Sequence, residues 1–187
     1  MQLDLELYRE EVVVSSNPSI TMSVIDVAPE RPEQTLVLVH GFGGRARQWR
    51  YQFEKFTERH RVLAMDIRGH GHSSRPLQGY EMPYILHDLV TVLDQRQVTE
   101  PFILIGHSFG GAIVTDFAHQ YPERVRKLIL IASAGEYNLA WAIKLAFHLN
   151  DPLLRLLQPF FKGAMDASFP ALKRYFLNNM SQWRGWD

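Results

Sequence analysis

The sequence predicts an α/β protein, a three-layer αβα sandwich built around a mainly parallel sheet, and two observations carry this. Leu36-Val37-Leu38-Val39, Val62-Leu63-Ala64-Met65, Phe102-Ile103-Leu104-Ile105 and Leu128-Ile129-Leu130-Ile131-Ala132 are continuous apolar runs, the mark of strands covered on both faces. Between them, Trp49 to Phe56, Met82 to Leu93 and Ala112 to His119 carry apolar residues at three- and four-residue spacing and read as amphipathic helices. Strand and helix in alternation place parallel strands side by side with helices on both faces.

The flanking segments follow other patterns. Glu11 to Ser15 and Ile20 to Val27 alternate apolar and polar residues around Asn17-Pro18-Ser19, which predicts an antiparallel pair at one edge of the sheet. Past Gly135 no strand pattern recurs. Leu139 to Leu149, Leu153 to Phe161 and Phe169 to Met180 read as helices broken at Pro152 and near Pro170.

Composition narrows the function classes. With 187 residues, 46% hydrophobic and 21% charged, the chain has the make-up of a globular domain with a substantial core. Twenty basic and twenty acidic residues balance to zero without a basic run, which argues against nucleic-acid binding. Absence of cysteine removes disulfides, thiolate metal sites and a cysteine nucleophile. The acidic opening Met1 to Glu6 lacks a signal-peptide layout, so a cytoplasmic location is expected. Leu139 to Leu149 is too short for a membrane span and carries Lys144 and His148. Nothing in the sequence specifies an oligomeric state.

The chemistry is concentrated in three loops, each following an apolar run. Gly106-His107-Ser108-Phe109-Gly110-Gly111 places a serine at a strand-to-helix turn. The positions two before and two after that serine, Gly106 and Gly110, must be small for strand and helix to pass close together. His40-Gly41-Phe42-Gly43-Gly44 supplies glycines that let backbone amides turn toward a neighbouring carbonyl oxygen, half of an oxyanion hole. The Phe109 amide, at a helix start, supplies the other half. Asp66-Ile67-Arg68-Gly69-His70-Gly71-His72-Ser73 reads as a self-bonded loop bracing the site, with Asp66 and Arg68 as an ion pair, His40 shaping the oxyanion loop, and His70 and His72 serving the Asp66 loop.

Together these loops resemble the α/β-hydrolase family in its lidded, lipase- and esterase-like branch. The resemblance covers roughly Val12 to Ala134 and includes Tyr121-Pro122-Glu123-Arg124-Val125, a segment that commonly links the elbow helix to the next strand. It divides the chain into a core over residues 1–136, holding strands one to six, and a helical lid segment over 137–187, with the family's seventh and eighth core strands absent. It implies Ser108 as nucleophile, the backbone N–H groups of Phe42 and Phe109 as oxyanion donors, and Gly41, Gly106 and Gly110 as the elbow and loop glycines. No cofactor or metal is implied.

The family's acid usually follows the seventh strand and its histidine the eighth, so neither is identifiable here. Some relatives, the haloalkane dehalogenases among them, place the acid after the sixth strand, a position nearer Ala132 or Ser133 than Glu136. His148 lies in the lid segment, where a base would need the lid to do the work of a core loop. His107 adjoins the nucleophile but points away from it, since successive side chains of an extended segment face opposite sides. Trp141, Phe147, Phe160 and Phe161 serve helix packing or, with Phe42 and Phe109, line an apolar pocket favouring an acyl or aromatic substrate.

The expected function is a serine hydrolase acting on carboxylic esters or related acyl compounds through a Ser108 acyl-enzyme; the alternative is a non-catalytic ligand-binding module of the same fold. The motifs are shared with carbon-carbon bond hydrolases, haloperoxidases and acyltransferases. Loss of the base costs on the order of a million-fold in turnover. Leu128 to Ala132 is apolar on both faces, yet nothing after it reads as a strand to cover it. The expectation is therefore the front part of a longer hydrolase, with little activity alone.

Overall fold

A computed structural model of the chain describes residues 3–133. Six strands form one sheet: β1 (Arg9–Ser16), β2 (Ser19–Val27), β3 (Thr35–Val39), β4 (Arg61–Met65), β5 (Phe102–His107) and β6 (Val125–Ile131), in the order β1-β2-β4-β3-β5-β6. β1 and β2 pair antiparallel, as do β2 and β4; β4, β3, β5 and β6 run parallel. Helices α1 (Arg50–Phe56), α2 (Met82–Gln95) and α3 (Phe109–Gln120) make the crossovers. This is the mainly parallel αβα sandwich that the alternation of apolar runs predicts. The lid helices expected over 137–187, Glu136 and His148 lie outside the described residues.

The period-two geometry of a strand sorts the apolar runs onto two faces. Val37, Val39, Leu63, Met65 and Leu104 face α2 and α3, meeting Ile85, Leu89 and Val92 of the first and Ile113, Val114 and Phe117 of the second. Leu36, Leu38, Val62, Ala64 and Ile105 face the other way, onto Trp49 and Phe53 at the start and middle of the α1 segment and onto Leu5. Doubly apolar runs are required because both faces are covered.

β6 departs from this. Leu128, Ile129, Leu130 and Ile131 remain 38%, 41%, 49% and 41% exposed, although an unbroken apolar run predicts burial. The reason is position: β6 is the edge of the described sheet, bonded only to β5. The opposite edge, β1, opens with Arg9, Glu10 and Glu11, charges that blunt an edge against further pairing.

The expected Asp66–Arg68 pair does not form. Arg68 instead makes a bidentate pair with Asp88 of α2, Nε to Oδ2 at 2.6 Å and Nη2 to Oδ1 at 2.5 Å, with side chains 3% and 0% exposed. Asp66 faces the other way and lies 3.4 Å from Arg9 Nη1. Each buried charge has found a partner distant in sequence, which spacing along one loop does not reveal. At the far end of the sheet Asp26 bridges Arg61 and Arg96, fastening β2, β4 and the end of α2.

Removing one member of a buried pair leaves the other desolvated and unpaired. Asp88→Ala is expected to destabilise the fold by about 3–5 kcal/mol, and the double change Arg68→Met with Asp88→Leu by much less. Urea unfolding of the two variants checks this; equal losses contradict it.

Candidate active site

Between β5 and α3 there is no loop. One residue, Ser108, turns the chain with φ 52° and ψ −120°. A non-glycine side chain rarely adopts positive φ, and this ψ lies far from the left-handed helical well, so the turn stores strain on the order of 1–3 kcal/mol. Its surroundings hold it there. Ser108 N–H donates to the Ile131 carbonyl of β6 at 2.9 Å, and its own carbonyl accepts from Gly111 N–H at 2.9 Å.

The two glycines at the elbow are explained by contact. A Cβ at Gly106 would stand 2.5 Å from both Gly110 O and Val114 Cγ2, and one at Gly110 would stand 2.4 Å from Val39 O and 2.5 Å from His40 O. Strand β5, helix α3 and the end of β3 thus meet backbone to backbone. The loop after β3 lies directly against the serine: a Cβ at Gly41 would fall 2.9 Å from Ser108 Cβ and 3.0 Å from His107 O. Phe42 follows in that loop, its side chain 41% exposed, and Phe109, 8% exposed, opens α3. Ser108 therefore sits between a glycine loop and a helix N-terminus, with partial access to solvent.

The histidines near the site are committed to the backbone. His40, fully buried, accepts Ile67 N–H at Nε2, 3.0 Å, and places Nδ1 2.7 Å from Gly41 O. His70 accepts Gly43 N–H at Nε2, 3.1 Å, and places Nδ1 3.1 Å from Arg68 O. All four ring nitrogens are in use, which leaves neither ring a lone pair for a metal or for a serine proton. Burial holds the His40 ring well below its ordinary range, at about 4, with the neighbouring His70 adding to the effect; burial lowers His70 as well.

The Asp66 carboxylate takes Ala46 N–H at 2.6 Å and His72 N–H at 2.9 Å, so it ties the β4 loop to the 3-10 turn Ala46–Trp49. His72 serves this loop through its amide, and its side chain is exposed. His107 turns from the serine toward Trp49, their rings 6.5 Å apart and nearly perpendicular; Trp49 Nε1 and His107 Nδ1 are both buried without a hydrogen-bond partner. Among the described residues, no hydrogen bond joins Ser108 Oγ to an imidazole. Sequence reasoning missed the Ile131 carbonyl, Trp49 and Arg9 as parts of this neighbourhood, since none belongs to the three loop motifs.

Two outcomes follow from this geometry. Gly110→Ala pushes a methyl group against two backbone oxygens and is expected to destabilise by about 1–3 kcal/mol or more, read from urea unfolding midpoints. The second concerns acid. A histidine with a depressed folded pKa binds fewer protons folded than unfolded, so its stabilisation is complete above about 6.5 and is lost as pH falls toward about 4. For His40 that window is worth on the order of 3 kcal/mol. Glu6, held at about 2 by Arg9, acts in the same sense but only below its ordinary 4.5. Asp88 and Asp116, pushed up by burial, act in the opposite sense. The His40 C2 proton followed by NMR should titrate near 4; titration near 6.5 contradicts the buried neutral ring.

Comparison with known proteins agrees with the geometry. The sequence profile described as alpha/beta hydrolase fold matches residues 34–183. The human (lyso)-N-acylphosphatidylethanolamine lipase is 32% identical over 171 residues, covering 81% of this chain and 50% of the lipase. Human epoxide hydrolase 4 is 39% identical over 106 residues, 56% of this chain and 29% of that protein. An esterase from Exiguobacterium antarcticum superposes with a TM-score of 0.71 at 21% identity, covering 90% of this chain and 72% of the esterase, a likeness of fold. The chain spans half or less of the length of these curated relatives. With its sheet order, its strained serine elbow and a family match over most of its length, the chain belongs to the α/β-hydrolase fold family.

Proposed function

We propose that this chain carries the nucleophile and oxyanion half of a serine-hydrolase site for carboxylic esters or related acyl compounds. The observation that carries the reading is Ser108, held in a strained turn directly at the start of α3 with the Gly41 loop against its Cβ. Strain of this kind persists only where the surroundings enforce it, and it lifts the side chain clear of both flanking elements.

In the proposed reaction Ser108 Oγ attacks the acyl carbon and gives its proton to a base. The carbonyl π pair moves onto oxygen, and that charge is received by the Phe42 amide and by the Phe109 amide at the N-terminus of α3. On collapse the electron pair re-forms the carbonyl, the bond to the leaving oxygen breaks, and the base returns its proton to it, releasing the alcohol and an acyl-enzyme that water cleaves by the same steps. Neither His40 nor His70 can be that base, since both have their ring nitrogens bonded to the backbone. The half-exposed Phe42 ring, in the loop whose Gly41 lies against Ser108, favours a small apolar acyl or aromatic substrate over a charged one. The name lipase of a relative 32% identical supports acyl chemistry.

The lack of an imidazole bonded to Ser108 among the described residues favours a second reading, a non-catalytic ligand-binding module. Fluorophosphonate labelling separates the two. The hydrolase reading expects a covalent adduct at Ser108 of the intact protein by mass spectrometry, absent in Ser108→Ala; an unlabelled, folded intact wild-type protein supports the binding module instead.

A further inference from the structure

The loops after β3 and β4 exchange histidines. His40, from the end of β3, accepts the Ile67 N–H of the β4 loop at 3.0 Å. His70, from the β4 loop, accepts the Gly43 N–H of the β3 loop at 3.1 Å. A backbone N–H can only donate, so both Nε2 atoms carry a lone pair and both ring protons reside on Nδ1. Each Nδ1 then faces an obligate acceptor in its own loop, Gly41 O at 2.7 Å and Arg68 O at 3.1 Å. The ring centroids lie 5.1 Å apart, and the Phe42 and His70 rings meet nearly perpendicular with centroids 5.9 Å apart.

Gly41 C=O and Phe42 N–H belong to one planar peptide group, and in a trans peptide the two bonds point in opposite directions. Gly41 O is held from one side by His40 Nδ1–H and by Gly44 N–H at 3.0 Å. That fixes the plane of the peptide and therefore the direction of the Phe42 N–H. A donor on the carbonyl also polarises the amide and strengthens its N–H as a donor. The next peptide group is held through its own N–H, on Gly43, by His70. Two consecutive peptide planes are thus clamped where the loop crosses Ser108.

We propose that His40 and His70 are a reciprocal pair of positioning residues, fixing the 41–42 and 42–43 peptide groups so that the Phe42 N–H is aimed before substrate arrives. Neither ring touches the acyl group. What the clamp serves rests on the reading of Ser108 as nucleophile; the clamp itself does not.

The test uses the ¹⁵N-labelled chain. An N–H···N hydrogen bond transmits a ¹⁵N–¹⁵N coupling, so two couplings are expected, Ile67 to His40 Nε2 and Gly43 to His70 Nε2, with both rings in the Nδ1–H form. Missing couplings, or a proton on either Nε2, overturn the proposal. In His70→Ala the Phe42 amide should become disordered by ¹⁵N relaxation, while His70→Gln, whose side-chain oxygen can accept the Gly43 N–H, should restore order. An ordered Phe42 amide in a folded His70→Ala chain overturns the clamp.

Fluorophosphonate labelling of Ser108 should slow about ten- to a hundredfold in His70→Ala and recover in His70→Gln. An unchanged rate overturns the positioning role. An intact wild-type protein that does not label defeats the nucleophile reading, and the couplings and the Phe42 amide then decide the clamp alone.

Discussion

A serine held at φ 52° between a strand and a helix is the constraint from which the rest of the site follows. No local interaction favours that conformation, so it must be imposed by what surrounds it. The imposition is backbone against backbone. Gly110 lies so close to the carbonyls of Val39 and His40 that a methyl group would not fit, and Gly106 lies as close to Gly110. The end of β3, the end of β5 and the start of α3 are therefore one packed unit. Since the glycine loop begins where β3 ends, the placement of Gly41 against Ser108 is a consequence of the same packing.

This explains which parts were legible in the sequence. Leu36 to Val39, Val62 to Met65 and Phe102 to Ile105 showed as strands because coverage on both faces leaves an unbroken apolar run, and the structure places them within one or two residues of that reading. The elbow showed because steric exclusion at two fixed offsets leaves glycine at both. Partners across space left no such trace. Arg9 and Asp66 are 57 residues apart, Arg68 and Asp88 are 20 apart, and nothing in Asp66-Ile67-Arg68 distinguishes a local pair from two long-range ones. The edge position of Leu128 to Ile131 was legible from the lack of a strand pattern after it, while the unbroken apolar run reports only the coverage the strand is suited to.

The imidazoles near Ser108 invite a catalytic interpretation that their hydrogen bonds deny. His40 and His70 accept backbone N–H groups and direct their remaining nitrogens at carbonyls, so they act as buried, neutral cross-links. A side chain in that role must be planar, carry one donor and one acceptor at opposite edges, and bring little charge into a buried region; neutral imidazole meets all three conditions. Their burial lowers their affinity for protons, which protects the acceptor nitrogen over the range where an exposed histidine would charge. Histidine here is a structural choice made by the backbone groups it has to satisfy.

One hydrogen bond ties β6 to the serine turn. Ser108 N–H is bonded to Ile131 O, the last residue of β6, so the strained turn is braced on one side by β3 and on the other by the edge strand of the described sheet. Beyond that bond the chain turns at once, with Ala132 at φ 46° and Ser133 Oγ so near Gly111 that a Cβ there would overlap it. An edge strand with exposed apolar side chains opens more readily than one covered on both sides, and each opening would release the Ser108 amide. The geometry of the serine is therefore coupled to whatever covers β6: rigid coverage stiffens the elbow through one hydrogen bond, and loss of coverage relaxes the strain that sets Ser108 apart from every other serine in the described fold.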